Sequence, residues 1–191
     1  MATPVVRARR WTRKEYDRLI DLGVFKPGEH LELLDGVLVV GEPQNPLHAT
    51  TIGLVAEALR RAFGSGWEVR EEKPVALDGN SEPEPDVSVV RGSHRDYVRA
   101  HPRRPVLVVE VSDSTLTSDR RKGGLYARGQ VRDYWIVNPR ARMLEVYRRR
   151  RRAPVARFGW EYTEIQILTA EQTVTPLAAP AAVIPVAHLL P

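Results

Sequence analysis

The sequence predicts a mixed α/β fold, a central β-sheet flanked by helices, and two observations carry that expectation. The stretch "RPVLVVEVSDST" holds a run, Val106–Val111, that is apolar on both faces, as in a buried central strand. Around it, helical segments with readable caps are interspersed with further strand signals, an order that places helices against the faces of a sheet. No internal repeat or low-complexity linker interrupts the 191 residues, so one domain is expected over 1–191.

The first helix opens on a capping box of Thr12 and Glu15, with Trp11 and Tyr16 at the staple positions around it. Tyr16, Leu19 and Ile20 share its apolar face, and Gly23 ends it. "HLELLDGVLVV" reads as two short strands folded at Asp35-Gly36, a strong hairpin signal. Glu32 and Leu34 point to one side of the first strand, Leu31 and Leu33 to the other. Asn45 caps a second helix with Pro46 at its first position. Ile52, Val55, Leu59 and Ala62 form its inward stripe, Gly64 stops it, and His48 lies one turn before Ile52 near that face.

"WEVREEKPVAL" and "EPEPDVSVVRG" read as strands, and Val106–Val111 follows. "TSDRRKGGLYARGQ" is a third helix, capped by Thr117 or Ser118 and closed by Gly129. Its Gly123-Gly124 pair costs roughly 1 kcal/mol per glycine in helix propensity, which close backbone packing would explain. "RDYWIVNP" is a strand, and "RMLEVYRRRR" with "FGWEYTEIQIL" makes a further antiparallel pair.

Composition sets the bounds. Hydrophobic residues at 42% and charged residues at 28% describe a soluble globular chain. With no cysteine, disulfides, thiolate metal sites and cysteine nucleophiles are excluded. The start, "MATPVVRARRWTRKEYD", lacks an apolar signal core, and the apolar stretch "VTPLAAPAAVIPVAHLLP" is broken by Pro176, Pro180 and Pro185. A cytoplasmic protein with no membrane span is therefore expected. The 29 basic residues against 24 acidic ones give a net charge of +5, and only Lys14, Lys26, Lys73 and Lys122 are lysines. Arginine forks suit phosphate oxygens, so a polyanion partner fits, although a GC-rich genome produces the same bias. Neither a Gly-rich phosphate loop nor a Ser-centred nucleophile elbow is present.

The chemistry centres on Glu110, an acid inside the buried run, where an ionised carboxylate is costly without a partner. Asp86 follows Pro85 at the start of "DVSVV". If the two strands are neighbours, their carboxylates converge, and a proton or a cation must then lie between them. Oxygen-only ligands favour Mg²⁺, Mn²⁺ or Ca²⁺, with the Val111 carbonyl as a further ligand. Ser112 shares the strand face of Glu110 but cannot stabilise developing negative charge; Lys122, on the following helix, is the residue to reach back.

Asp86 followed by Glu110-Val111-Ser112 resembles the PD-(D/E)XK signature of the restriction-endonuclease-like superfamily. More narrowly, "ELLDG", His48 before a helix, "PDVSVV", "VVEVSDST", Lys122 four residues before Tyr126, and "YWIVNP" resemble the Uma family of that superfamily. The resemblance implies a restriction-endonuclease-like core over about 30–140, preceded by a helix–hairpin and followed by extra C-terminal strands over about 141–191. It implies a Mg²⁺- or Mn²⁺-dependent endonuclease acting on nucleic acid, most readily DNA, with Asp86, Glu110 and Lys122 as catalytic residues. Glu32 of "ELLDG" joins them as a third ligand or a water-orienting group. A homodimer is expected, because two-strand cleavage favours two-fold symmetry.

Ser112 stands where the superfamily signature has lysine, so the competing expectation is a catalytically degenerate module that binds nucleic acid or protein. His48, at a helix N-terminus, is expected to be neutral and to accept a hydrogen bond or orient Glu32. Tyr126 reads as core, Asp119 as support for its helix start, Asp113 as a cap for the following turn and Gln130 as a loop residue. Arg148, Arg149, Arg150, Arg151 and Arg152 follow a strand and either grip phosphates or form a solvated connection. His94 and His101 lie in a polar surface connection. The apolar tail from Val174 is a dimer interface or a cover for the sheet.

Overall fold

A computed structural model describes residues 8–41 and 43–191; the beginning of the chain through Arg7, part of the stretch read as lacking a signal core, lies outside the described residues. In chain order the elements are α1 (Arg13–Asp21), β1 (Leu31–Leu34), β2 (Val37–Val40), α2 (Pro46–Phe63), β3 (Trp67–Glu71), β4 (Val87–Arg91), β5 (Leu107–Val111) and α3 (Leu116–Arg128). They continue with β6 (Asp133–Asn138), β7 (Met143–Arg152), β8 (Trp160–Thr169) and two-residue strands β9 (Thr173–Val174) and β10 (Ile184–Pro185). The fold is mixed α/β, with a six-stranded sheet in the order β3-β4-β5-β6-β7-β8. Only β5 and β6 run parallel, because α3 supplies the crossover that a parallel pair needs; every other pair in this sheet is antiparallel. The C-terminal strands β7 and β8 extend the same sheet.

Local chemistry explains the element boundaries. The Thr12–Glu15 capping box closes as expected, with the Glu15 amide donating to the Thr12 hydroxyl and the Thr12 amide to the Glu15 carboxylate. Asp35 and Gly36, at φ 51° and 78°, give the β1–β2 hairpin the doubly left-handed turn that matches strand twist. Asn45 caps α2 by accepting from the His48 amide at 3.1 Å. Two expectations need correction. Ile20 is exposed, so the buried face of α1 rests on Tyr16. The cap of α3 is Thr115 rather than Thr117 or Ser118, and its hydroxyl turns to the Asp119 side chain.

Two apolar layers sandwich the sheet. On one face Val87, Val89, Val109, Trp135 and Val137 pack against Ile52, Val55 and Leu59 of α2. The tail joins this layer through Val174, Ile184, Val186 and Leu189. Each buried aliphatic side chain contributes roughly 1.5–3 kcal/mol, so the tail covers its own sheet with these residues, while Leu177 and Val183 stay exposed. On the other face Val108, Tyr134, Ile136 and Tyr147 pack against Leu125 and Tyr126 of α3. The glycine pair permits that approach. A Cβ at Gly123 would come 3.3 Å from the Tyr134 ring, and one at Gly124 would come 2.9 Å from the Trp160 carbonyl oxygen. Among the described residues no helix is long and apolar enough to cross a membrane.

Candidate active site

Alternation along β5 sets the site. Val109 and Val111 face α2, so Glu110 between them faces α3, where it is only 3% exposed. Val87 and Val109 are partners across β4 and β5, which brings Asp86, one residue before β4, beside Glu110. The Asp86 amide donates to Glu110 Oε2 at 3.3 Å, and the Val111 amide donates to Asp86 Oδ2 at 2.5 Å. Both acids therefore sit at the same end of one strand pair.

Three other elements converge on them. From α3, Tyr126 Oη donates to Glu110 Oε1 at 2.7 Å, and Lys122 Nζ lies 3.4 Å from the same oxygen. From β1, Glu32 places Oε2 3.0 Å from Lys122 Nζ, while its Oε1 accepts from the Glu84 amide at 2.8 Å. From the start of α2, His48 Nε2 lies 3.1 Å from Asp86 Oδ1 and His48 Nδ1 3.8 Å from Asp113. The Asn45 side chain donates to Asp113 at 2.5 Å, so the cap of α2 is tied to the turn after β5.

The electrostatics follow from this burial. Loss of solvent pushes the Glu110 carboxyl well above its ordinary 4.5; Lys122 opposes the rise, while Asp86, Asp119 and Glu32 add to it. Burial would lower Lys122, but Glu110 and Glu32 outweigh it and hold the ammonium charged. Burial would also lower His48, yet the hydrogen bond and charge of Asp86 raise it above 6.5. Asp119 is raised by burial, against the Thr115 hydroxyl and Lys122.

Asp86, Glu110, Lys122, Glu32, His48 and Tyr126 are thus brought together, with some roles redistributed. His48 pairs with Asp86 and Asp113 rather than Glu32, and these carboxylates favour the imidazolium that the helix dipole would disfavour. The cation beside Glu110 is the Lys122 ammonium. Tyr126 is core, as its place beside Leu125 suggests, but its hydroxyl also reaches Glu110. Ser112 is fully buried, and its hydroxyl has no hydrogen-bond partner among the described residues. Asn45, Glu84 and Asp113 take part without having been assigned to the site; only the capping role of Asn45 and the turn position of Asp113 were readable.

The five arginines form the last half of β7 instead of following it. Arg148 is level with Asp133, the first residue of β6, whereas Glu110 is level with Ile136, so the run continues away from the site. Arg148, Arg149 and Arg151 pair with Asp133, Glu164 and Glu161. His94 lies in a short 3-10 turn, His94–Tyr97, and pairs with Glu68.

Among the described residues no group of three or more His, Asp or Glu side chains is arranged to hold a metal ion. Asp86 and Glu110 bring hard oxygen donors side by side, each already accepting contacts, from His48 and the Val111 amide on Asp86 and from Lys122, Tyr126 and the Asp86 amide on Glu110. Glu32 is engaged by Lys122 and the Glu84 amide. Two carboxylates with few further protein ligands fit Mg²⁺, which retains several waters, better than an all-protein cage.

Comparison with known proteins adds independent findings. A family model, Uma2, described as "Putative restriction endonuclease", matches residues 13–187. No curated protein matches the chain. Among solved structures, a similar one is the crystal structure of "a putative nuclease belonging to DUF820 from Anabaena variabilis", with a TM-score of 0.66 and 14% identity. The match covers 88% of this chain and 94% of that one; at such identity what is shared is the fold.

Proposed function

The chain belongs to the Uma2 family, matched over residues 13–187, and on that premise we propose that it is a metal-dependent endonuclease that hydrolyses phosphodiester bonds of DNA. The observation that carries this reading is the junction of Asp86 and Glu110 across β4 and β5 with Lys122 of α3 beside them. Asp86, Glu110 and the Val111 carbonyl would hold Mg²⁺ or Mn²⁺. Once bound, such an ion would polarise the phosphate and lower the pKa of an attacking water.

The chain's own residues do the rest. Lys122 presents a fixed positive charge to the phosphate oxygens, and Glu32 aims it through the 3.0 Å contact. Tyr126 fixes the orientation of Glu110, and His48 that of Asp86. We place the protein in the cytoplasm as a single-domain subunit of a homodimer, since cutting two strands favours two-fold symmetry.

A second reading, a degenerate module that only binds nucleic acid or protein, is favoured by Ser112 and by the way Lys122 already offsets Glu110 and Glu32. Plasmid cleavage with Mg²⁺ or Mn²⁺ separates the two readings. Wild type should cut, while Asp86→Ala, Glu110→Ala and Lys122→Ala should each lose about 100-fold or more of the rate, in the range of removing a preorganised charge. Equal activity in all four proteins would end the nuclease assignment.

A further inference from the structure

On the far flank of α3 from Lys122, an open cleft of about 350 Å³ lies between α3 and the β7–β8 hairpin, lined in part by Arg121, Arg157, Phe158 and Trp160. Alternation along β7 divides its arginines. Arg149 and Arg151 pair with Glu164 and Glu161, whereas Arg150 and Arg152 hold their guanidinium groups 5.2 and 5.7 Å from the Trp160 ring centroid. Arg157 lies 5.4 Å from that of Phe158. Among the described residues, Arg121, Arg150, Arg152 and Arg157 make no salt bridge, while Glu161, the acid in the cleft lining, is taken by Arg151.

Three guanidinium groups on two aromatic rings, with Arg121 lining the same cleft, repel one another unless an anion joins them. A ligand that brings both anionic groups and flat rings satisfies both halves of the cleft. Single-stranded nucleic acid does so, with bases that stack on aromatic rings and phosphates that meet arginines. A duplex offers the phosphates but keeps its bases stacked on one another.

We infer that this cleft binds single-stranded nucleic acid, with bases on Phe158 and Trp160 and phosphates on the surrounding arginines. Resting on the nuclease reading, the substrate then carries an unpaired stretch beside the bond to be cut. Gly124 is two residues from Lys122, about 200° around the helix, so a strand crosses α3 to pass from site to cleft. The helix is roughly 10–12 Å wide. At ~3.4 Å per nucleotide, three or four nucleotides span it.

Fluorescence anisotropy in EDTA, where cleavage plays no part, tests this with a labelled 12-nucleotide oligothymidine and a 12-base-pair duplex. Wild type should prefer the single strand. Arg121→Ala with Arg157→Ala, both exposed positions, should weaken that binding about tenfold or more and reduce the slope of log K against log salt by about 1.4. Phe158→Leu should weaken it about fivefold with the slope unchanged. No binding by wild type, tighter duplex binding, or unaltered affinity in the cleft variants would overturn the inference. A protein that fails to cut yet gives the expected pattern loses the nuclease reading and keeps the cleft; one that cuts but gives unaltered cleft variants does the reverse.

Discussion

Glu110 and Glu145 stand level with each other on the same sheet face, separated by Ile136 of β6, and both are buried. Their surroundings push them in opposite directions. Burial raises Glu145, but a two-pronged contact from Arg120 and the Tyr147 hydroxyl outweigh it, and its carboxyl ends below its ordinary value. Glu110 receives a longer 3.4 Å contact from a lysine and sits near Asp86, Asp119 and Glu32, and it ends above. Asp133, fully buried at the other end of β6, accepts from Arg148, the Trp135 indole and the Leu177 amide. A structural acid is saturated with donors. Glu110 also accepts three contacts, from the Tyr126 hydroxyl, the Asp86 amide and Lys122, but it has no guanidinium fork and three acids lie near it, so its charge is the one left under-compensated.

The largest test of that contrast is stability. Asp133→Ala should cost about 3–5 kcal/mol in urea denaturation, because it strands the part-buried Arg148 without its carboxylate. Glu110→Gln should change stability by about 1 kcal/mol or less, or raise it, because the amide keeps the shape of a carboxyl whose ionised form is ill-compensated where it is buried. Equal losses would mean that Glu110 is structural too.

The pH dependence is the next largest effect. A carboxyl whose folded pKa lies above 4.5 binds more protons folded than unfolded, so its contribution is present at low pH and is lost as pH rises from about 4.5. Up to about 1.4 kcal/mol per pH unit can be involved. Denaturation midpoints of wild type relative to Glu110→Gln should therefore fall from pH 5 towards pH 8. Glu145 has the reverse sign: its contribution is present above 4.5 and is lost as pH falls through its lowered folded value. A wild-type-to-variant difference that does not vary with pH would break the comparison at Glu110.

How much of this was legible in the sequence depends on how local each signal was. The Thr12–Glu15 capping box, the Asp35-Gly36 turn, the Asn45-Pro46 start and the doubly apolar β5 depend on neighbours a few residues apart, and they read correctly. Asp86 and Glu110 were also readable, because an acid inside or at the start of an apolar strand conflicts with its surroundings. The partners were harder. His48 meets Asp86 across 38 positions, and Lys122 meets Glu32 across 90, distances at which only the folded register decides which acid lies closer. The direction of the His48 shift was misread because the helix dipole is visible in sequence, whereas two converging carboxylates are not. The alternation of the five arginines was hidden until they were known to lie in a strand.

Smaller effects sharpen the picture at the rim of the site. His48 has a raised folded pKa, so its contribution is full below 6.5 and is lost as pH rises through the folded value. His48→Gln should cost about 1 kcal/mol at pH 5.5 and little at pH 8.5, read from the same denaturation curves. Tyr126→Phe, which removes one donor to Glu110, should cost under about 1 kcal/mol while reducing DNA cleavage several-fold. A loss confined to stability would leave Tyr126 as core alone.

The most direct measurement is calorimetric titration of Mn²⁺ into wild type and Glu110→Gln at pH 7 in two buffers of different ionisation heat. Wild type should bind the ion and release a proton, since the ion takes over a carboxyl that burial otherwise keeps protonated. The variant should show no such binding. Equal binding by both proteins, or none by wild type, would contradict the claim that Glu110 is kept for a cation.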